Sequence, residues 1–249
     1  MSAIAVDSEL LLLVDVSIPG LSDTNFDDLM QNYASAFSAP DTLSAIQSGQ
    51  EGRIAVSMMF FGNSVTQQVG IPWMMIGSST DADAFANLAS NVNRPFSFGF
   101  SDPGAALDVA TPYFGTETGG VSNGFESEVQ IVEVAASGVA FPFNAADTQA
   151  SSDSALASGV DVMNSISLGF FGGLSENYYE QNVIGSSLEG VEATSETSGV
   201  GAGLASVVTE NIEVSVQNGA QASISAVPEP SSLVIAMSFS GVLLLRRRR

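Results

Sequence analysis

The sequence predicts a three-layer α/β domain in which helices cover both faces of a mostly parallel β-sheet. Two patterns indicate this architecture. Short, nearly continuous apolar runs, such as residues 10–14, are typical of strands buried on both faces. These runs alternate along the chain with segments of helical periodicity, as in parallel sheets with crossover helices. A chain of 249 residues is long enough for one such domain with a substantial core.

Five segments have the composition of strands, with apolar residues bounded by polar residues or glycine. In chain order, the predicted strands cover residues 8–16, 53–61, 64–71, 127–135 and 160–168. The dipeptide Gly62-Asn63 is a hairpin signal between the second and third of these strands. Pro72 and Trp73 are expected to end the third strand.

Apolar residues spaced three and four apart predict helices between the strands. The predicted helices cover residues 26–37, 43–47, 81–88, 103–113, 147–156, the surroundings of 178–179 and the first part of 200–216. Asp23 or Thr24 is expected to cap the first helix, and Ser101 or Asp102 the helix that has Pro103 at its first position. The end of 200–216 has a strand-like, apolar composition.

The composition excludes most catalytic centres. The chain contains no histidine, cysteine or lysine, so catalysis by Ser-His-Asp, Cys-His or Ser-Lys groups is impossible, and a zinc hydrolase site is improbable. A pair of carboxylates, such as Asp15 with Glu133 at neighbouring strand ends, is the remaining catalytic option. We expect such strand-end carboxylates to be structural, and therefore expect no enzyme.

The charge of the chain is strongly acidic. There are 27 acidic and six basic residues, and four of the basic residues are the last four of the chain. Cleavage before Val227 would remove one acidic and four basic residues, leaving 26 acidic and two basic residues, a net charge of −24. Such a surface repels phosphate groups, which argues against nucleic acid and anionic lipid as partners of the body.

The C-terminus has three ordered parts: a Pro-Glu-Pro motif, an apolar run over residues 233–245, and an arginine cluster. The cluster should remain cytoplasmic, which places the body outside the cytoplasm. This tail resembles a PEP-CTERM sorting signal. The residues that carry the resemblance are Val227, Pro228, Glu229, Pro230, Arg246, Arg247, Arg248 and Arg249. The resemblance implies a short transmembrane helix, transient anchoring in the inner membrane and processing by an exosortase-type membrane protease.

The N-terminal segment, residues 1–5, is too short for a signal peptide and has no basic residue. We interpret it as a remnant of a signal peptide or the region after one, with the start codon placed too late. The expected organisation is then a domain over 6–216, a linker over 217–226 and the sorting signal over 227–249.

The body resembles a family of uncharacterised bacterial proteins with a von Willebrand factor A-like (Rossmann-type) domain. The matching pieces are 13–17 (LVDVS), 52–56 (GRIAV), 72–73 (PW), 104–108 (GAALD), 157–160 (ASGV), 178–179 (YY) and 182–185 (NVIG). This fold implies a metal-ion-dependent adhesion site for Mg²⁺ or Ca²⁺; Asp15 and Ser17 match its pattern, and Ser101 stands in for its threonine. Pro19 replaces a serine of the pattern, and Ser137 stands at about the position of its third aspartate, for which Asp102 or Glu133 are possible substitutes.

These features predict an exported binding protein of the cell envelope or extracellular matrix, with exopolysaccharide or another envelope protein as its partner. Two alternatives stay open: a membrane-anchored scaffold whose metal site has decayed, and a carboxylate-dependent polysaccharide hydrolase. Glu176, Tyr178 and Tyr179 could form a sugar-stacking patch, but we expect the tyrosines to pack their helix on the sheet.

Overall fold

The computed structural model describes residues 2–17, 21–95, 99–136, 145–168, 172–198 and 203–226. Within them, the strands are β1 (Ile4–Ala5), β2 (Glu9–Asp15), β3 (Ile54–Phe61), β4 (Gln67–Ile76), β5 (Phe125–Glu126), β6 (Gln130–Ala136), β7 (Val162–Leu168), β8 (Gly185–Ser186) and β9 (Ser195–Ser198). The helices are α1 (Asp23–Phe37), α2 (Pro40–Gln47), α3 (Ser79–Asn91), α4 (Pro103–Ala110), α5 (Ala145–Ala157), α6 (Gly172–Asn182) and α7 (Leu204–Ala226).

The main sheet is mixed, with a parallel centre. Its order is β4-β3-β2-β6-β7, and both β8 and β9 pair with the outer edge of β7. Strands β2, β3, β6, β7 and β9 are parallel, whereas β4 and β8 run antiparallel to their neighbours. The chain leaves β2 towards β3 on one side and later returns to β6 on the other. The carboxyl end of β2 is therefore the switch point at which ligands bind in open α/β sheets.

Alternate side chains of the central strands enter two separate apolar layers. Leu10, Leu12 and Val14 of β2 pack with helices α1, α2, α3 and α7. Leu11 and Leu13 pack with α4, α5 and α6 on the opposite face. Every residue of β2, β3, β6 and β7 is buried, as expected for strands covered on both faces. The predicted three-layer α/β architecture is confirmed.

The prediction that Pro72 and Trp73 end a strand is wrong, because β4 continues to Ile76. The strand lies at the edge of the sheet, where a proline is tolerated because the backbone on the outer side has no neighbouring strand to bond. The register with β3 shifts near this point, between Val56 and Met58. The hydroxyl of Ser57 donates to the Ile71 carbonyl at 2.7 Å, so this irregular stretch still satisfies a buried polar group.

Two helix starts can be compared with their predicted caps. Helix α1 is capped by Ser22 and not by Asp23 or Thr24: the Ser22 hydroxyl accepts from the Asn25 amide at 3.2 Å. Helix α4 is capped by Asp102, one of its two predicted caps. This helix ends at Ala110, earlier than predicted, and a 3₁₀ turn over Thr111–Phe114 follows it.

The strand-like piece and the linker predicted near the end of the domain are both wrong. Helix α7 is continuous from Leu204 to Ala226. Its buried apolar residues are Leu204, Val208, Ile212, Val216 and Ala220, each four positions after the one before. This spacing places them on one helix face, which packs on the sheet and outweighs the local abundance of β-branched residues.

The structure describes the N-terminal segment of the chain, but not the C-terminal sorting signal. Ile4 and Ala5 pair in parallel with Phe125 and Glu126, so these residues of the predicted leader remnant belong to the folded domain. The sorting signal, 227–249, lies outside the described residues. Among the helices that are described, none has both the length and the apolar character needed to cross a bilayer.

Candidate functional site

The site is centred on Asp15, the last residue of β2, at the switch point of the sheet. Its side chain is 1% exposed. Because Asp15 continues the Leu11 and Leu13 side of the strand, it faces the α4–α6 layer. The Ser17 amide donates to its Oδ1 at 2.8 Å. Its Oδ2 is buried and has no hydrogen-bond partner among the described residues.

Ser101 reaches the same edge from the residues just before α4. The Asp102 amide donates to the Gly62 carbonyl at 2.8 Å, which ties this segment to the end of β3. The Asp102 carboxylate accepts from the Ala105 amide at 3.1 Å and so caps α4. Ser101 itself is buried, and its hydroxyl has no hydrogen-bond partner within the described part of the chain. Asp102 is therefore a capping residue, and Ser101 is the residue that faces the site.

Tyr179 is a third member of this site. It lies on α6, is completely buried, and its hydroxyl also lacks a hydrogen-bond partner in the described structure. Burial raises the pKa of Tyr179 well above its usual value, the charge of Asp15 raises it further, and the Ser101 hydroxyl lowers it. The hydroxyl therefore lies near both Asp15 and Ser101. The expectation that the tyrosines pack the helix on the sheet is confirmed, since Tyr178 and Tyr179 are both buried in the second layer.

Arg94 borders the site on the side of α1. Its Nη1 donates to Asp23 Oδ1 at 2.8 Å, and its Nη2 donates to the carbonyls of Val16 at 3.0 Å and Ser17 at 3.4 Å. The Nε atom is buried without an acceptor among the described residues. Sequence reasoning did not place Arg94 or Tyr179 in this site, because they come from segments about 80 and 160 positions after Asp15. The one sequence feature that pointed to Arg94 was the scarcity of basic residues in the body of the chain, where it is one of two.

The environment determines the ionisation of Asp15. Burial raises its pKa to about 6, while the hydrogen bond from the Ser17 amide, the nearby hydroxyls of Ser17 and Ser101 and the positive charge of Arg94 lower it and limit the rise. The carboxyl group is therefore mainly ionised at neutral pH. An ionised carboxylate with one unused oxygen is a ligand for a hard cation.

The oxygen atoms at this edge supply some, but not all, of the ligands that a divalent cation needs. Asp15 Oδ2, the Ser101 hydroxyl and the Tyr179 hydroxyl are buried oxygens without partners in the described structure, and Ser17 adjoins them. Pro19 and Ser137 lie outside the described residues. In the described part of the chain, no three acidic side chains come together as a metal cluster. A cation here would be held by one carboxylate, by hydroxyl groups and by water.

Asp15 and Glu133 do not form a carboxylate pair. Glu133 lies in the middle of β6, opposite Leu12, and shares a face with Ile131 and Ala135 of the first layer. Asp15 faces the second layer, on the other side of the sheet. Glu133 therefore contributes neither a partner carboxylate for catalysis nor the missing third aspartate of the adhesion pattern.

Glu133 belongs instead to a buried polar network under α7. The Ser215 hydroxyl donates to its Oε2 at 3.4 Å and accepts from Asn164 Nδ2 at 3.0 Å. Asn164 in turn accepts from the Thr194 amide at 2.8 Å. Burial raises the pKa of Glu133 to about 8, the Ser215 and Asn164 hydrogen bonds lower it, and the charge of Glu196 raises it. Glu133 is therefore mostly protonated at neutral pH.

A second buried carboxyl group, Glu9, lies at the opposite end of β2. Asn123 Nδ2 donates to its Oε2 at 3.0 Å, and its Oε1 has no partner among the described residues. Burial raises its pKa to about 8, Asn123 lowers it, and the charge of Glu117 raises it. The burial of Glu9 and Glu133 could not be predicted from the sequence, which shows only that each is a charged residue inside a predicted strand.

Solved structures of low sequence identity share this fold. The von Willebrand factor type A protein from Catenulispora acidiphila is 10% identical, with a TM-score of 0.52 over 86% of this chain. The SpRpn10 VWA domain is 10% identical, with a TM-score of 0.50 over 81% of this chain. The D319A mutant of the PilB minor pilin from Streptococcus sanguinis is 9% identical, with a TM-score of 0.53 over 90%. The matches cover 43%, 93% and 64% of those chains, respectively, so this chain spans less than half of the Catenulispora protein.

The fold and the position of the site therefore define a von Willebrand factor A-like α/β domain, as the resemblance of the body implied. The chain belongs to the family described as "Protein of unknown function (DUF1194)", whose match covers residues 5–199. Among curated proteins, none matches this sequence.

Proposed function

We propose that this protein is an exported binding domain of the bacterial envelope or extracellular matrix, and not an enzyme. In this proposal, Asp15, Ser17 and Ser101 hold a divalent cation, and the cation binds an acidic group of the partner. The observation that carries the proposal is the group of buried oxygens without partners at the switch point, Asp15 Oδ2 and the Ser101 hydroxyl. Unsatisfied buried oxygens are costly unless an ion or water completes them.

The chemistry of the donors favours Mg²⁺, Mn²⁺ or Ca²⁺. These ions prefer carboxylate, hydroxyl and water oxygens, and hydroxyl ligands leave the ion with most of its positive charge. A cation held in this way retains a position for a carboxylate of the partner. Such a carboxylate is available on acidic exopolysaccharide and on other envelope proteins, which are the two partner classes that we propose.

Apolar residues near the site favour a binding role over a purely structural one. Val65, in the turn between β3 and β4, is 84% exposed, and Phe100, next to Ser101, is 54% exposed. The Asp102–Gly62 hydrogen bond holds the two loops together at the carboxyl edge of the sheet. Exposed apolar side chains beside a polar site are a common feature of interaction surfaces.

Metal titration tests this proposal. We expect calorimetry to show one Mn²⁺ site with a dissociation constant on the order of 10⁻⁴ M, the range of extracellular cation modules. Asp15→Ala and Ser101→Ala should abolish the heat, because each removes a buried oxygen ligand. Asp83→Asn, which removes a charge from the exposed face of α3, should bind as the wild type does. Absence of binding to the wild type would contradict the proposal and favour a scaffold with a decayed site.

We further propose that the C-terminal signal sorts the protein. The Pro228-Glu229-Pro230 motif, the apolar run and the arginine cluster support processing by an exosortase-type protease after transient insertion in the inner membrane. Deletion of 227–249 should change the cell fraction in which a tagged chain is found. Recovery of the full-length chain from the cytoplasm, with its arginine cluster intact by mass spectrometry, would contradict export and sorting.

A further inference from the structure

Arg94 occupies an unusual place for a cation in this chain. Outside the C-terminal cluster the sequence contains two arginines, Arg53 and Arg94. Arg53 lies near the amino ends of the strands, where it pairs with Glu51 at 3.0 Å and donates to the Ala5 carbonyl at 2.9 Å. Arg94 lies at the carboxyl edge, and its side chain is only 15% exposed. This mostly buried cation is thus next to the candidate ion site.

The contacts of Arg94 fix its charge close to that site. Its guanidinium group donates to the carbonyls of Val16 and Ser17, the two residues that follow Asp15. Its ion-pair partner, Asp23, has a side chain that is 88% exposed, so water screens the negative charge of the pair. The Arg94 side chain is mostly buried, and its positive charge is therefore less screened than that of Asp23. Any divalent cation bound by Ser17 would therefore lie within a few ångströms of a second fixed cation.

We propose that Arg94 is the specificity-determining residue of the Asp15 site, because its charge makes cation binding depend on an acidic ligand. This inference rests on the proposed function. Asp15 and Arg94 together are neutral, so a divalent ion alone leaves two uncompensated positive charges at a mostly buried edge. A carboxylate ligand removes one of them and is attracted by both the ion and Arg94. The cation and the acidic group then bind cooperatively, and each raises the affinity for the other.

Calorimetric titration of Mn²⁺, with and without acetate as the carboxylate probe, tests the inference on the whole chain. Arg94→Gln should raise the affinity for Mn²⁺ alone by about tenfold, because a neighbouring like charge is removed. In the same variant, acetate should enhance Mn²⁺ binding less than in the wild type. Arg53→Gln removes an equal charge from the opposite end of the sheet, and should leave both values unchanged.

Two further variants separate the charge of Arg94 from its hydrogen bonds. Arg94→Lys keeps the charge but loses the forked contacts, so its Mn²⁺ affinity should stay close to that of the wild type. Asp23→Asn alters an exposed side chain and leaves Arg94 without its counter-charge. Because water already screens the Asp23 charge, this variant should bind Mn²⁺ alone at most about twofold more weakly than the wild type.

The outcomes distinguish the two proposals. If the wild type binds Mn²⁺ but Arg94→Gln changes neither the affinity nor the acetate effect, the role assigned to Arg94 is overturned and the proposed cation site remains. Weaker binding by Arg94→Gln and Arg94→Lys alike also overturns it, since Arg94 would then act by holding the β2–α1 segment. If no variant and no wild-type chain binds Mn²⁺, the proposed function itself fails.

Discussion

At the scale of single residues, the sheet contains carboxyl groups in places where charge is unfavourable. Glu133 is fully buried, and the two hydrogen-bonding groups beside it do not offset the loss of hydration. Its pKa lies at about 8 in the folded protein, against 4.5 for an unperturbed glutamate. The contribution of Glu133 to the free energy of unfolding is therefore fully present below pH 4.5 and is lost as pH rises towards 8.

Replacement of Glu133 by glutamine should remove this pH dependence. Glutamine keeps the shape and the hydrogen-bonding capacity but cannot ionise. We expect Glu133→Gln to change the free energy of unfolding little at pH 4.5 and to increase it, relative to the wild type, by about 3–5 kcal/mol at pH 8. Urea denaturation at the two pH values measures the difference. Glu126→Gln on the exposed strand β5 is the matched control, and a gain of equal size there would contradict the assignment.

The adjacent tyrosines of α6 offer a second comparison at this scale. Tyr178 donates its hydroxyl hydrogen to Thr148 Oγ1 at 2.8 Å, whereas the Tyr179 hydroxyl has no partner in the described structure. Tyr178→Phe should lower the free energy of unfolding by about 1 kcal/mol. Tyr179→Phe should change it by less than about 0.5 kcal/mol in a chelating buffer and should reduce the rise in Tm caused by Mn²⁺. Thermal unfolding with and without Mn²⁺ measures both effects, and an unchanged Mn²⁺ effect would exclude Tyr179 from the site.

At the scale of elements, α7 determines how the chain ends. Gly219 lies where the helix passes the start of β2, and a Cβ atom at this position would lie 2.6 Å from the Ser8 hydroxyl oxygen. The glycine therefore permits close packing of helix and sheet. It does not indicate a linker, as the composition of the segment suggested.

Substitution of Gly219 tests this packing. Gly219→Ala should lower the free energy of unfolding by about 1–3 kcal/mol, because overlap with Ser8 outweighs the better helix propensity of alanine. The double variant with Ser8→Gly should recover part of the loss, since the overlapping side chain is then absent. Gln221→Ala, on the exposed side of the same helix, is the control. If 217–226 were a linker, Gly219→Ala would be neutral, and denaturant unfolding distinguishes the two results.

The elements also show what local sequence can predict. Apolar runs located β2, β3, β6 and β7 to within a few residues, because strands buried on both faces leave a continuous pattern. The extension of β4 through Pro72 and the length of α7 depend on tertiary contacts: an edge position in one case, and packing at four-residue intervals in the other. For the candidate site, Asp15, Ser17 and Ser101 were found by their motif. Arg94 and Tyr179 required the folded chain, since no local pattern connects them to β2.

At the scale of the whole molecule, the dominant property is negative charge. The body has a net charge of −24 without the sorting signal, and its two arginines are both paired with carboxylates. The like charges repel one another, and salt screens this repulsion over about 10 Å at 0.1 M. The charges are closer together in the compact folded state than in the unfolded chain. Screening therefore lowers the free energy of the folded state more.

Salt should accordingly stabilise the protein without regard to the identity of the monovalent cation. We expect Tm to rise by several degrees between about 0.01 M and 0.5 M NaCl, and by the same amount in KCl. Millimolar Mn²⁺ should add a further rise in the wild type that is absent in Asp15→Ala. Thermal unfolding by circular dichroism measures both. A wild-type Tm that does not change with salt would show that charge repulsion is unimportant for stability.

The continuous helix α7 has a consequence for release from the membrane. It is packed on the domain as far as Ala220 and Ser223, and it ends at Ala226, two positions before the first proline of the Pro-Glu-Pro motif. The seven Cα–Cα steps from Ala226 to the first apolar residue of the tail, Leu233, can span no more than about 25 Å. In the sorting route that we propose, this short tether holds a highly acidic domain close to the lipid headgroups. Where those headgroups are anionic, the two surfaces repel each other, and this repulsion favours departure of the domain from the membrane once the tether is cut.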